Sequence, residues 1–159
     1  MKLSGTYRLK ASRDKVWKGL NDPEVLRQCA PGCKQMTRVE DTSPDISYDV
    51  LMEVGIASIK GSYTGKLQVA EEISGSQYRL ILTGNGTNGF VRAEGLIQLK
   101  DLEEETLVDY SGQVQVGGLI ASVGQRVMES AAKLLVGQFF KSFEAAGLKR
   151  QAASRNGPL

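Results

Sequence analysis

The sequence changes its hydrophobic period once, at Gly117-Gly118, and that change limits what the chain can fold into. Ahead of it, apolar residues recur at every second position, the spacing that turns one face of a strand towards a core. Behind it they recur at about 3.6 residues. Val123, Val127, Met128, Ala131, Leu134, Leu135, Phe139 and Phe143 form one broad stripe, with Arg126, Glu129, Lys133 and Lys141 mostly off it. The spacing predicts one long helix from this point to about Ala146, about 29 residues and roughly 43 Å. Gly147 suits its C-terminal cap.

Seven alternating stretches precede the change. The first is 2–10, with Leu3, Gly5, Tyr7 and Leu9 on one face. Two short helices interrupt the series. Ser12 caps one that runs to Leu20, with Asp14 in its first turn and Val16, Trp17 and Leu20 as its apolar face. Asp22 caps the other, with Pro23 at its first position, and it runs to about Gln28. The strands expected after the Pro31-Gly32 turn are 36–40, 46–54, 59–69, 78–83, 90–99 and 106–116. Ser74-Gly75-Ser76 and Glu103-Glu104-Glu105 read as turns. A meander of strands followed by one long helix is an α+β arrangement, and the many glycines suit a strongly curved antiparallel sheet.

At 159 residues the chain is one domain, expected over 1–147, with a polar, disordered tail over 148–159. It has 20 basic and 18 acidic side chains, a net charge of +2 that gives no field for nucleic acid. It has no histidine. That excludes Ser-His-Asp and Cys-His nucleophile systems, histidine metal sites and an imidazole general base. Composition therefore points to binding rather than catalysis, with no cofactor and no metal expected. Glu53, Arg92 and Glu94 are the polar candidates, and alternation turns all three outward, as a solvated face.

Gly84-Asn85-Gly86-Thr87-Asn88-Gly89 satisfies the G-x-G-x-x-G pattern literally. A dinucleotide site needs that pattern between a strand and a helix. The residues that follow, Phe90 to Gly95, alternate like a strand, so the stretch reads instead as a hairpin loop with several positive φ angles. In a meander every second connection shares one end. That puts the turns at 54–58, 84–89 and 116–118 together beside the start of the long helix. Gly84, Gly86, Gly89, Phe90, Gly117 and Gly118 then form an uncharged rim. Two readings stay open: the mouth of a cavity, or hairpin chemistry alone.

The space behind that rim lies between sheet and helix. The strands offer Tyr48, Val50, Met52, Ile59, Gly61, Tyr63, Leu80, Leu82, Val108 and Tyr110; the helix offers Val123, Val127, Met128, Ala131 and Leu135. The small residues leave room and each tyrosine brings one polar handle. A core filled by side chains is the competing reading.

No signal peptide or membrane-length apolar run is present, so a cytoplasmic protein is expected. Cys29 and Cys33 flank Ala30-Pro31-Gly32. Two thiolates cannot complete a four-ligand metal site within one chain. Packed reduced thiols, a redox pair and a site shared between protomers remain.

Several of these residues carry a resemblance. Asn21-Asp22-Pro23-Glu24-Val25-Leu26 followed by Cys29-Ala30-Pro31-Gly32-Cys33 resembles the N-terminal signature of the CoxG family, which takes its name from a component of carbon-monoxide dehydrogenase. So do Gly84-x-Gly86-x-x-Gly89-Phe90 and Val114-Gln115-Val116-Gly117-Gly118 leading to Gln138-Phe139-Phe140. The resemblance runs from about residue 1 to 146. It implies the START-like (SRPBCC) helix grip: seven antiparallel strands around a long C-terminal helix, with two short helices after the first strand. It also implies a hydrophobic ligand, lipid or quinone-like, between sheet and helix. The role it implies is that of an accessory to a carbon-monoxide dehydrogenase-type molybdenum hydroxylase, or a part in recruiting that enzyme to the inner face of the membrane. The alternative is an assembly factor without a ligand. Some family members carry a membrane-binding C-terminal extension. This sequence stops at Leu159, twelve residues after Gly147, a departure that counts against direct membrane anchoring and leaves peripheral membrane contact as an expectation.

Overall fold

The computed structural model describes residues 1–40, 43–56 and 59–148. The chain begins with β1 (Lys2–Leu9), α1 (Arg13–Leu20) and α2 (Pro23–Cys29). Six strands follow: β2 (Cys33–Arg38), β3 (Ile46–Val54), β4 (Gly61–Ile73), β5 (Gln77–Gly86), β6 (Gly89–Leu102) and β7 (Glu105–Gly117). A 3-10 turn (Leu119–Val123), α3 (Gln125–Ser142) and a π turn (Phe143–Gly147) end the described chain. The sheet is one antiparallel layer in the order β1-β7-β6-β5-β4-β3-β2.

Local chemistry sets the helix starts. The Ser12 hydroxyl accepts from the Lys15 N–H at 3.4 Å, and Asp22 Oδ1 accepts from the Glu24 and Val25 N–H groups at 2.9 and 3.4 Å. The Pro31-Gly32 turn closes with the Cys33 N–H donating to the Ala30 carbonyl at 3.1 Å. Gly32 has φ +79°, and a Cβ there would lie 2.1 Å from the Glu53 carbonyl oxygen. The turn therefore lies directly against the end of β3, and only glycine satisfies both demands.

The long helix differs from the sequence expectation at both ends. It does not start at Gly118. Gly118 (φ +82°) and Gly124 (φ +96°) leave the right-handed helical region, so a separate 3-10 turn sits between them and α3 begins at Gln125. At 18 residues α3 is about 27 Å long. Gly147 is not a left-handed cap. It is buried in the π turn, where a Cβ would meet Val25, Phe143 and the Cys29 sulfur at 3.0–3.2 Å. The residue is there for close packing. Leu148, assigned by sequence to the polar tail, is buried in the same cluster, and 149–159 lie outside the described residues.

The buried side chains fall into three groups. The largest closes the end that carries α1 and α2. It holds Leu9, Val16, Leu20, Val25, Leu99, Val108, Phe140 and Phe143, with Tyr7 stacked on Phe140 at 4.5 Å. A second group, at the opposite end, joins Ile59, Tyr63, Ile120, Met128 and Ala131. A third joins Cys33, Tyr48, Val50 and Leu67 under α2. Thr106 is fully buried, and its hydroxyl donates to the Ala11 carbonyl at 2.8 Å.

Candidate ligand-binding cavity

The centre of the concave face is short of side chains. Gly65 pairs with Gly84 across β4 and β5, and Gly95 with Gly112 across β6 and β7. Ala93 lies between them, flanked by Leu82 and Val114. The glycines are there because the strands approach closely on this bend: a Cβ at Gly65 would lie 1.7 Å from the Thr83 carbonyl oxygen, and one at Gly112 would lie 2.3 Å from that of Glu94. The bend and the missing side chains leave a cavity of about 690 Å³. Leu82, Ala93, Val114 and Val116 form its floor, with Ile81, Thr83, Arg92, Glu94, Gln113 and Gln115 of the same strands also on its lining; Met1, Met128, Ala121, Gly124 and Gln125 form its opposite wall. The last three are exposed, so the cavity opens beside the start of α3.

The sequence candidates divide between this cavity and its surroundings. Leu82 and Met128 line it directly. Ile59, Tyr63, Ala131, Met52, Val123 and Leu135 belong to the cluster at its open end, and Tyr48, Val50 and Leu80 to the cluster under α2. Gly61 (φ +155°) opens β4. Val108 is fully buried in the closed-end cluster and Tyr110 packs against it, so neither lines the cavity. Val127 is 41% exposed: the helical stripe is broader than the helix face that meets the sheet, and Val127 and Leu134 fall on the outer side. Alternation would also have found the floor residues Ala93, Val114 and Val116. Gly112 has the same spacing but was hidden by having no side chain to count.

The glycine stretch is tighter than expected. Strands β5 and β6 run to Gly86 and from Gly89, leaving Thr87-Asn88 as the turn, and only Gly89 has a positive φ. Gly84 and Gly86 lie within β5. The three connections do share one end. The Ile120 N–H donates to the Asn88 carbonyl at 2.8 Å, and the Asn88 side-chain amide donates to the Lys60 carbonyl at 2.9 Å. Gly118 lies against Gly89. Phe90 is not part of the rim of the cavity: its ring lies over Gly117 with the Arg92 guanidinium 5.4 Å from its centre, on the convex face.

The concave face offers few polar groups. The Tyr63 hydroxyl donates to the Ile59 carbonyl at 2.8 Å. Burial pushes the Tyr48, Tyr63 and Tyr110 hydroxyls above the ordinary phenol range, and they stand in or beside three different clusters rather than converging. Tyr78, absent from the sequence candidates, is buried edge-on to Trp17 at 5.6 Å, its acidity lowered by burial. Glu94 accepts from Arg79 at 3.1 Å and Glu53 lies 3.9 Å from Lys34, both exposed. No general acid and base face one another here.

Cys29 and Cys33 are both free and buried. Burial raises both thiols above their ordinary range, and the Cys33 thiol donates to the Gln35 carbonyl at 3.4 Å. Both touch a surface pocket of about 570 Å³ that also involves Arg27, Lys34, Gln138 and Lys141. Among the described residues no three His, Cys, Asp or Glu side chains are grouped to hold a metal ion, and no helix is long and apolar enough to cross a membrane.

A seven-stranded curved sheet gripping a C-terminal helix, with two short helices after its first strand, is the START-like fold. The solved structures agree. A START superfamily protein from Mycobacterium smegmatis superposes with a TM-score of 0.68 at 17% identity, over 91% of this chain and 94% of that one. The Zhui aromatase/cyclase from Streptomyces sp. R1128 does so with a TM-score of 0.61 at 11% identity, over 96% and 94%. A conserved protein from Geobacillus kaustophilus is more similar, with a TM-score of 0.85 at 35% identity over 97% of each chain. No curated protein matches. Residues 5–146 match the model of the carbon monoxide dehydrogenase CoxG family, and the chain belongs to that family.

Proposed function

We propose that this protein is a non-enzymatic carrier that holds an uncharged, elongated apolar molecule, a lipid or a quinone-like compound, between sheet and α3. The observation that carries the reading is the cavity of about 690 Å³, whose floor is Ala93 and the aliphatic side chains of Leu82, Val114 and Val116. Of the two ionised residues on its lining, Glu94 pairs with Arg79 and Arg92 lies over the Phe90 ring, and the aliphatic floor favours hydrocarbon over a charged ligand, because a buried unpaired charge costs several kcal/mol. Membership of the CoxG family supports service to a carbon monoxide dehydrogenase-type molybdenum hydroxylase, with the ligand exchanged at the inner face of the membrane.

Organic extraction of the purified protein followed by mass spectrometry tests this. One apolar compound at about one equivalent per chain is the expected result. Absence of such a compound, together with no saturable binding of the neutral apolar dye N-phenyl-1-naphthylamine, refutes the carrier reading.

A further inference from the structure

The glycine stretch that fails as a nucleotide site has a second feature. Its turn residue Asn88 touches both other connections at the open end. The Asn88 carbonyl accepts from the Ile120 N–H, and its side chain donates to the Lys60 carbonyl. Ile120 belongs to the 3-10 turn over the cavity's opening, of which Ala121 and the following Gly124 line the wall.

That turn is bounded as a unit. Two of its hydrogen bonds are internal, from Ala121 N–H to the Gly118 carbonyl at 3.1 Å and from Gly124 N–H to the Ala121 carbonyl at 3.3 Å. Glycines of positive φ stand at both its ends, the positions where backbone rotation meets least resistance. Ile120 is its one buried side chain, seated among Ile59, Tyr63, Met128 and Ala131, whereas Leu119 is 69% exposed.

We propose that residues 118–124 form a strap that pivots on Gly118 and Gly124 and admits the ligand, and that Asn88 is the clasp that holds it shut. Closed, the strap joins three connections into one rim. Opening releases the Ile120 side chain and one backbone hydrogen bond, and leaves the sheet intact. The inference rests on the carrier reading, since a strap over the cavity matters only if something enters.

The test is stopped-flow binding of N-phenyl-1-naphthylamine to the wild type, Ile120→Val and Ile120→Ala, since the Asn88 carbonyl that holds the Ile120 N–H survives any side-chain change. A weaker clasp raises the open population of free and loaded protein alike. Association and dissociation should therefore both accelerate, about fourfold for the one methylene lost in Ile120→Val and more in Ile120→Ala, with Kd changed by less than about twofold. Unchanged rates in variants that melt with the wild type overturn the strap while leaving the carrier reading standing. No dye binding by the wild type, together with no extractable apolar compound, overturns both. Hydrogen exchange on the ligand-free protein gives a separate reading: the Ile120 amide should exchange by local opening, well before the amides of β6 and β7. Protection of Ile120 equal to theirs overturns the strap by itself.

Discussion

Ala93→Phe is the substitution that separates a carrier from a protein that merely contains a void. Ala93 sits mid-floor between Leu82 and Val114, with Gly95 and Gly112 on the next row. A benzyl group placed there has no neighbouring side chain from either glycine to displace, so it projects into the cavity towards Met128. Its ring takes the room of about six methylenes. At about 0.8 kcal/mol per buried methylene, an apolar ligand loses about 5 kcal/mol of burial, more than 10³-fold in Kd. The fold should not suffer, because the ring fills space that no atom occupies; the melting temperature should hold or rise by a few degrees. Dye titration and calorimetry read both quantities. Unchanged Kd in a folded Ala93→Phe protein would show that the ligand binds elsewhere and would refute the assignment of the cavity. A lost fold would show that the bend in the sheet cannot accept a side chain at this row.

Thr106→Val removes the hydroxyl that satisfies the Ala11 carbonyl. It should cost about 1–3 kcal/mol, a fall of roughly 3–10 °C by calorimetry; a shift under 1 °C would contradict it. Gly32→Ala and Gly75→Ala both force a positive φ, at +79° and +74°, but only the first drives a Cβ into backbone, at Glu53. Gly75→Ala should cost about 1–2 kcal/mol and Gly32→Ala distinctly more, and equal denaturation midpoints would disprove the close-approach account. Burial makes the Cys29 and Cys33 thiols and the Tyr48 and Tyr63 hydroxyls weaker acids than in the unfolded chain, so the folded state keeps their protons longer. Stability from these groups is complete below about pH 9 and declines as pH rises beyond it. Melting temperature against pH would show that decline. With no histidine to titrate, no step should appear between about pH 6 and 8. Both thiols should react slowly with a disulfide reagent in the native protein and at once in denaturant.

Periodicity made the architecture readable because the long strands turn one face outward and the other towards the concave interior, so alternation survives in the sequence. The caps at Ser12 and Asp22 were readable for the same local reason. Strand ends were not. The alternation read over 59–69 begins outside β4, with Ile59 in the connection, and β4 runs four residues past it through a bulge at Glu71, where φ is +52°. The break at Gly124 was invisible because the apolar stripe continues through Val123 across it. The cavity was legible as a possibility and not as a place. Its floor is defined by which glycines become neighbours across strands, and register is a property of the pairing, not of any one strand. Val108 and Val127 show the same limit on the apolar side. Both fit the pattern of a lining residue, and three-dimensional packing sends one into the solid core and the other to the surface.

The division of the buried side chains into three groups makes the interior an incomplete solid. Met128 of the second group and Leu82, packed against the third, face the hollow, so on that side the dispersion contacts that would join these groups are not supplied by the chain. A guest in the hollow would be the fourth piece of the core. Its occupancy then becomes a variable of the fold: at a hundredfold excess over Kd it adds about 2.7 kcal/mol, so how firmly the polypeptide holds together would report how much cargo is in supply.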